Sequence, residues 1–452
     1  MKTDLLLIII YSIFLIIFSF NLLKKIRKSK ELNMIIVSDV LFLILFYLTP
    51  LYYNICSYNN DSYLNVWDTM FFTNSVKIKY IVLILSIIGY LFLNFGFYLS
   101  KKINFKKYNI YDDKNDNTLI NNNKDIKKQK KYKVTIIILI LIGWICLILW
   151  TKVYGGLFGI FKYASKIRSG IIEIYNPFTF LKYFCQFLLI SFLCSLDDYL
   201  KDKKISVLVL VIISAFGSFI YLIANDGRNL ILSVFIAILI NFFYKKKIKV
   251  RTIFTLSFLL VISLFFIANM DNLTDGIRND KEIEISLSIN PFKFLNDEFG
   301  FVYMDLNNTV YLNNSNSIKY NNFDELESVL LFLVPQKFKP NDLVNLYEYN
   351  NNFYPQFFGT IPPDILTASI YLFDYPGVLI IPLIFGFIIG KIDIYFKRKI
   401  DNDKLYKNIY FLIITMLPLR ICGYFDISVI LFNFIFVYAT LILYKIILKL
   451  KF

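Results

Sequence analysis

Apolar residues along this chain gather into long runs separated by polar gaps. The runs are about the 17–25 residues an α-helix needs to cross the hydrocarbon core of a bilayer. Eleven are predicted as membrane spans: about 4–23, 33–53, 77–99, 134–151, 178–195, 205–224, 228–244, 252–268, 364–390, 408–422 and 427–446. The first opens MKTDLLLIII without a small-residue cleavage site, so a retained span is expected rather than a removed signal peptide. Asp39, Lys182 and Arg420 are charged residues within or at the ends of these runs. The expected fold class is an all-α polytopic integral membrane protein with about 11 transmembrane helices (10–12) and one large extracytoplasmic loop late in the chain.

The gaps are of two kinds, and they alternate. KKIRKSK (24–30), the Lys-rich stretch 101–133, KDKK (201–204), KKKIKVR (245–251), the stretch 391–407 and KIILKLK (445–451) hold 33 of the 49 Lys and Arg. Eleven spans put all six on one face together with the C-terminus. Positive loops stay in the cytoplasm. The expectation is therefore a bacterial cytoplasmic membrane protein with its short N-terminus outside and its C-terminus cytoplasmic. Stretch 101–133 is nearly devoid of apolar residues and is expected to be a flexible cytoplasmic loop. The domain reading is 1–268, an N-terminal bundle of about eight spans; 269–363, the large extracytoplasmic loop; and 364–452, about three C-terminal spans.

Composition then narrows the chemistry. The chain is 57% hydrophobic, against about 45–50% for a soluble protein. The formal charge of +16 sits at span ends rather than on one continuous face, which speaks against nucleic acid. There is no histidine, which excludes His-based general bases, Ser–His and Cys–His nucleophile pairs and His-ligated metals. The five cysteines form no CxxC pair, and only Cys56 stands clearly outside an apolar run, so neither a disulfide framework nor a zinc site is expected. No GxxxxGK[ST] phosphate loop and no internal repeat is present.

Three exterior segments carry candidate function. Stretch 269–359 is acidic, with 13 Asp and Glu against 6 Lys and Arg. Its aromatic and aliphatic content reads as ordered, and DELESVLLFLVP (324–335) reads as a short helix lying on the membrane surface or packed on the bundle. Segment 151–170 carries Gly155, Gly156 and Gly159, suited to a tight turn, followed by Lys and Arg. The NDGR turn, Asn225 to Arg228, sits between two spans. Only seven arginines occur, and four of them lie off the basic face: Arg168, Arg228, Arg278 and Arg420. A guanidinium offers a planar fork that matches phosphate oxygens, which an ammonium does not. The same arginines would also serve as surface ion pairs.

Gly155 to Gly170, NDGRNLILSVFIAILI (225–240) and LVPQKFKP (333–340) followed by FFGTIPPDILTASIYLFDYPGVLIIPLIFGFIIG (357–390) together resemble the oligosaccharide repeat-unit polymerases, the Wzy-type O-antigen and capsule polymerases. The layout is similar over nearly the whole chain, and the motifs over about 80 residues. One departure is that Ala368 stands where that family often has Glu, with Asp374 near its usual Gly. The resemblance implies an enzyme, a membrane glycosyltransferase that polymerises undecaprenyl-pyrophosphate-linked oligosaccharide, which is both donor and acceptor, in a lipid bilayer and with a chain-length regulator protein as a further partner. It implies no cofactor and no metal. Arg168, Arg228 and Arg278 would bind pyrophosphate with Lys337 and Lys339 assisting, and Asp226, Glu298 or Asp305 would be the base. Each of those carboxylates also reads as a solvated loop acid. Tyr303, Tyr311, Tyr347, Tyr349 and Tyr354 are available for stacking on sugars. Two rivals stay open: a lipid-donor glycosyltransferase, for which Asp61 and Asp68 in the first exterior loop would count, and a flippase of lipid-linked oligosaccharide.

Overall fold

The structure is a computed structural model that describes residues 2–28, 32–59, 75–103, 118–169, 174–225, 228–243, 291–320, 322–331, 334, 338–340, 343–354 and 361–450. The regular elements among the described residues are all helical. In chain order the longer ones are α1 (Lys2–Lys28), α2 (Met34–Leu43), α3 (Thr49–Asn59), α4 (Val76–Lys102), α5 (Thr118–Lys152), α6 (Phe187–Asp202), α7 (Ile205–Ala224), α8 (Arg228–Phe243), α9 (Pro291–Asn314), α10 (Asn322–Leu330), α11 (Leu346–Asn351), α12 (Ile365–Ile400), α13 (Lys404–Gly423), α14 (Ile427–Asn433) and α15 (Ile435–Lys449).

Among the described residues, nine helical stretches are long and apolar enough to cross a membrane: Leu5–Arg27, Met34–Tyr58, Val76–Lys102, Lys127–Lys152, Leu181–Asp202, Ile205–Ala224, Ile365–Ile400, Lys404–Gly423 and Ile427–Lys449. They correspond to nine of the eleven expected spans. The chain is thus all-helical and of the polytopic membrane class. The run 228–244 is described as far as Phe243, where it forms α8. The expected span 252–268 lies outside the described residues.

The chain divides into two compact units, each discontinuous in sequence. The first comprises Met1–Ile103, Ser288–Tyr395 and Ile414–Leu431; the second Asn104–Leu287, Phe396–Ile413 and Phe432–Phe452. The described part of 269–363 falls in the first unit with α1 to α4, and one face of α9 is buried there.

In the first unit that face carries Val302, Tyr303, Leu306 and Val310, all fully buried. Tyr303 lies edge-on to Tyr11 of α1, with centroids 6.3 Å apart, and their hydroxyls are 3.3 Å apart. Tyr47 and Tyr53 extend this aromatic centre. Between α2 and α3 the backbone widens into a π turn, Ile44–Leu48. Pro50 follows and has no N–H to continue the ladder, and Thr49 instead donates both its N–H and its hydroxyl to the Ile44 carbonyl. Asp39 is fully buried and is held by Lys25 of α1 at 2.5 Å and by Asn94 of α4 at 2.9 Å, tying three helices together. The α4 and α12 backbones touch along a small-residue seam. A Cβ on Gly96 would run into the Leu383 carbonyl oxygen, and one on Gly386 into the Leu93 carbonyl oxygen. Close backbone approach of this kind is how membrane helices gain packing contacts without a hydrophobic drive between them.

The second unit packs α5, α6 and α7 around Leu188, which sits against Gly143 and Gly217. Asp198 pairs with Lys404 at 2.6 Å, Asp197 with Lys407 at 2.7 Å and with Lys201 at 3.1 Å, and Lys128 with Asp403 at 3.3 Å. Lysines of the basic gaps are thus structural clamps as well as topology signals. Parts of the expected flexible loop 101–133 are helical, and 104–117 lie outside the described residues. Lys101 and Lys102 end α4, and residues 118–133 begin α5. Lysine is a good helix former, and Lys131 donates to the Leu448 carbonyl while Lys128 reaches Asp403. Gly155 and Gly156 take φ of 88° and 90°, the left-handed region a side chain disfavours, so the tight turn expected there is present.

Candidate functional site

The site is built on α9. Its polar residues Asp305, Asn307 and Thr309 are as buried as its apolar ones. A buried carboxylate needs hydrogen-bond partners, because removing it from water is otherwise too costly. The partners come from the segment that follows. Tyr354 donates its hydroxyl to Asp305 Oδ1 at 2.7 Å, and Asn350 of α11 donates to Oδ2 at 3.1 Å. Asn350 also donates to the Ile361 carbonyl and accepts from the Tyr371 hydroxyl at 2.6 Å. Thr309 donates to Tyr371, and Asn308 to Tyr354. One carboxylate, two amides, two phenols and a hydroxyl therefore form a closed network joining α9, α11 and the start of α12. Burial, then the nearby charge of Asp364, holds the Asp305 carboxyl well above the ordinary range.

Asp364 precedes α12 and caps it. Its Oδ1 accepts from the Leu366 and Thr367 amides, and its Oδ2 from the Thr367 hydroxyl at 2.6 Å. These bonds favour the charged form, yet full burial outweighs them and pushes the carboxyl up to about 7. The first eight residues of α12, Ile365 to Leu372, are all buried. The helix then breaks at Phe373 and Asp374, where Asp374 takes φ 56° and ψ −158°. That conformation is essentially reserved for glycine. Asn313 holds Asp374 through a 2.5 Å bond, and Tyr375 bonds Asn314, so the break is fastened to the end of α9.

A second carboxylate centre lies where α10 meets α14. Glu325 Oε2 accepts from the Tyr320 hydroxyl and the Leu346 amide, each at 3.2 Å. Asp426 Oδ1 accepts from the Val429 amide at 2.8 Å, as an N-cap of α14. Ser328 and Ser428 share a hydrogen bond at 2.8 Å. Burial and the neighbouring Asp426 raise Glu325, and burial raises Asp426.

Of the residues singled out by sequence, Asp305 is central to the network. Lys339 is half-buried in the 338–340 turn. Glu298 lies in α9, Arg168 in the short helix Ala164–Ser169 and Arg228 at the start of α8, all with side chains outside the described ones. Asp226, Arg278 and Lys337 lie outside the described residues. Arg420 stacks over the Tyr424 ring, 5.5 Å from its centroid. Among the tyrosines offered for sugar stacking, Tyr303 and Tyr354 are buried and hydrogen-bonded, so their rings are not open to a ligand; Tyr311 is exposed. Asn350, Tyr371, Asp364, Glu325 and Asp426 were not singled out. Asp364 and Asp426 each stand just before an apolar helix, an N-cap signal readable in sequence. No such local signal marks Asn350 or Tyr371. No family model, no curated protein and no solved structure matches the chain.

Proposed function

We propose that this chain is a membrane glycosyltransferase that polymerises oligosaccharide repeat units carried on a lipid pyrophosphate, at the outer face of the bacterial cytoplasmic membrane. The observation that carries the reading is that the described part of the acidic segment 269–359 is largely helical. It is fixed around Asp305 and anchored to α1 through Tyr303 and Tyr11. A transporter made of short connections around two similar halves has no use for such a segment. The lysine-rich gaps support a cytoplasmic C-terminus, which leaves this segment outside.

In the proposed reaction an acceptor sugar hydroxyl attacks the anomeric carbon of the donor. The glycosidic bond forms as the carbon–oxygen bond to pyrophosphate breaks, the proton passes to a carboxylate, and the lipid pyrophosphate leaves. Arg168, Arg228 and Arg278, with Lys337 and Lys339, are the proposed anion contacts. Asp226, Glu298 and Asp305 are the proposed bases, and the two hydrogen bonds on Asp305 suit it equally to positioning.

The test is reconstitution in lipid nanodiscs with a lipid-pyrophosphate-linked repeat unit, followed by mass spectrometry. A ladder of multiples of the repeat unit is expected, lost in Arg168→Lys or Arg228→Lys. Single sugars added instead would indicate a monomer transferase. Flipping of the carrier in vesicles without any new glycosidic bond would indicate a flippase.

A further inference from the structure

The break in α12 carries an exposed cluster of polar and aromatic side chains, all within the first unit. Asp374 keeps a side chain at torsion angles that favour glycine, at a backbone cost of about 1–3 kcal/mol. One of its carboxylate oxygens, Oδ1, is engaged: it accepts from Asn313 at 2.5 Å and from the Tyr375 amide at 2.6 Å. The other, Oδ2, meets no donor among the described residues, and the residue is exposed. Asn314 is arranged the same way. Its Oδ1 accepts from the Tyr375 hydroxyl at 2.8 Å, while its Nδ2 donors are uncommitted among the described residues and the residue is exposed. Bonds from two consecutive residues of α9 to two consecutive residues of α12, Asn313 to Asp374 and Asn314 to Tyr375, fix the uncommitted groups side by side. Phe373, at the break, is 48% exposed. Tyr311, one turn before Asn314 on the same face of α9, is 53% exposed. These side chains meet water rather than lipid. A carboxylate and amides left exposed cannot lie in hydrocarbon, and residues 375–396 already supply the roughly 20 that a span needs. The basic end of α12, Lys397 to Lys399, is the cytoplasmic one in the proposed topology, which puts the cluster at the outer boundary.

We infer that Asp374, Asn314 and Phe373 form a binding site for a sugar ring of the glycan, with Tyr311 at its edge. The inference rests on the proposed glycan reaction for the class of its ligand. A sugar ring carries neighbouring hydroxyls, each a donor and an acceptor, around an apolar C–H face. Asp374 Oδ2 accepts from one hydroxyl and Asn314 Nδ2 donates to its neighbour. The bond to the carboxylate is charge-assisted and the stronger of the two. The exposed ring of Phe373 covers the C–H face, whose positive hydrogens suit the negative face of the π system. Each polar side chain is already fastened through its other terminal atom, so little rotamer freedom remains to be lost when the sugar arrives. The carboxylate repels phosphate. The site therefore takes the sugar part of the substrate and leaves the pyrophosphate to the arginines and lysines proposed above. It also gives the strained backbone at Asp374 a use, because glycine would fit the torsion angles but bring no acceptor.

The test uses the full-length protein in lipid nanodiscs and, as probe, the oligosaccharide released by mild acid from the lipid carrier of the source cells. Saturation-transfer NMR with titration is expected to show binding by the native protein that weakens about tenfold or more in Asp374→Gly, as loss of a charge-assisted hydrogen bond requires. Glycine relieves the backbone, so an unchanged unfolding temperature separates lost binding from a lost fold. Phe373→Leu leaves every hydrogen bond of the cluster in place and is expected to weaken binding about fivefold. Should Asp374→Gly fail to fold, Phe373→Leu and Asn314→Ala, expected to weaken binding likewise, decide the matter. No binding by the native protein at millimolar probe, or equal affinity in the native protein and the folded variants, overturns the site. The site and the reaction fail separately. Asp374-dependent binding without a polymer ladder supports the site and sinks the polymerase reading. A ladder made by a protein whose probe binding ignores these substitutions does the reverse.

Discussion

Asp364 shows how burial and capping compete within one residue. Its cap bonds favour the carboxylate, but burial lifts the group to about 7, from an ordinary value of about 4. The stabilisation it gives is therefore complete below the unfolded pKa and is lost as pH rises through the folded one. Thermal unfolding in detergent should show a melting temperature that declines between about pH 5 and about pH 8. Asp364→Asn, which still accepts the Leu366 amide, should flatten that decline. Asp305 titrates in the same direction, and its loss has a different signature. Asp305→Ala strands the Tyr354 hydroxyl as a buried donor and should cost about 1–3 kcal/mol in chemical denaturation, with Tyr354→Phe costing less. Asp305 could be picked out of the sequence as a candidate base in the acidic exterior segment. Asn350 and Tyr371 could not, because an amide or a phenol acquires its role only when residues 45 and 21 positions apart are brought together.

At the scale of elements, the apolar runs were the most legible part of the chain, since span length is fixed by the bilayer and not by neighbouring residues. α9 departs from this: its composition is too polar for a span, yet one face is buried against α1 and α3. The break in α12 was visible only as Asp374 standing near the usual glycine position of the resembled family. The structure gives it a cause, since Asp374 occupies glycine-like torsion angles, held by Asn313. Asp374→Gly should therefore keep the unfolding temperature within a degree or two of the native protein, whereas a β-branched Asp374→Val should lose about 1–3 kcal/mol. Equal losses in the two variants would show that the Asn313 bond, not backbone strain, dominates there.

For the whole molecule, the alternation of basic gaps predicts sidedness, and the chain is equipped to test it. The five cysteines are all buried, so the native protein is a low background for thiol labelling. Phe323→Cys on α10 should react with a membrane-impermeant maleimide in intact cells. Asp401→Cys, between α12 and α13, should react only after permeabilisation; the reverse pattern would invert the assigned topology. The grouping of the chain into units was not legible, because each unit gathers three stretches that are far apart in the sequence. That gathering has a consequence for biogenesis. Tyr11 and Tyr303 are separated by 292 residues. At ribosomal speeds α1 would wait roughly 15–60 s in the membrane before its aromatic partner is made. The first helix to leave the ribosome is thus completed late. A message truncated anywhere before codon 303 would yield inserted helices with no centre to close around, leaving the quality-control proteases to meet them.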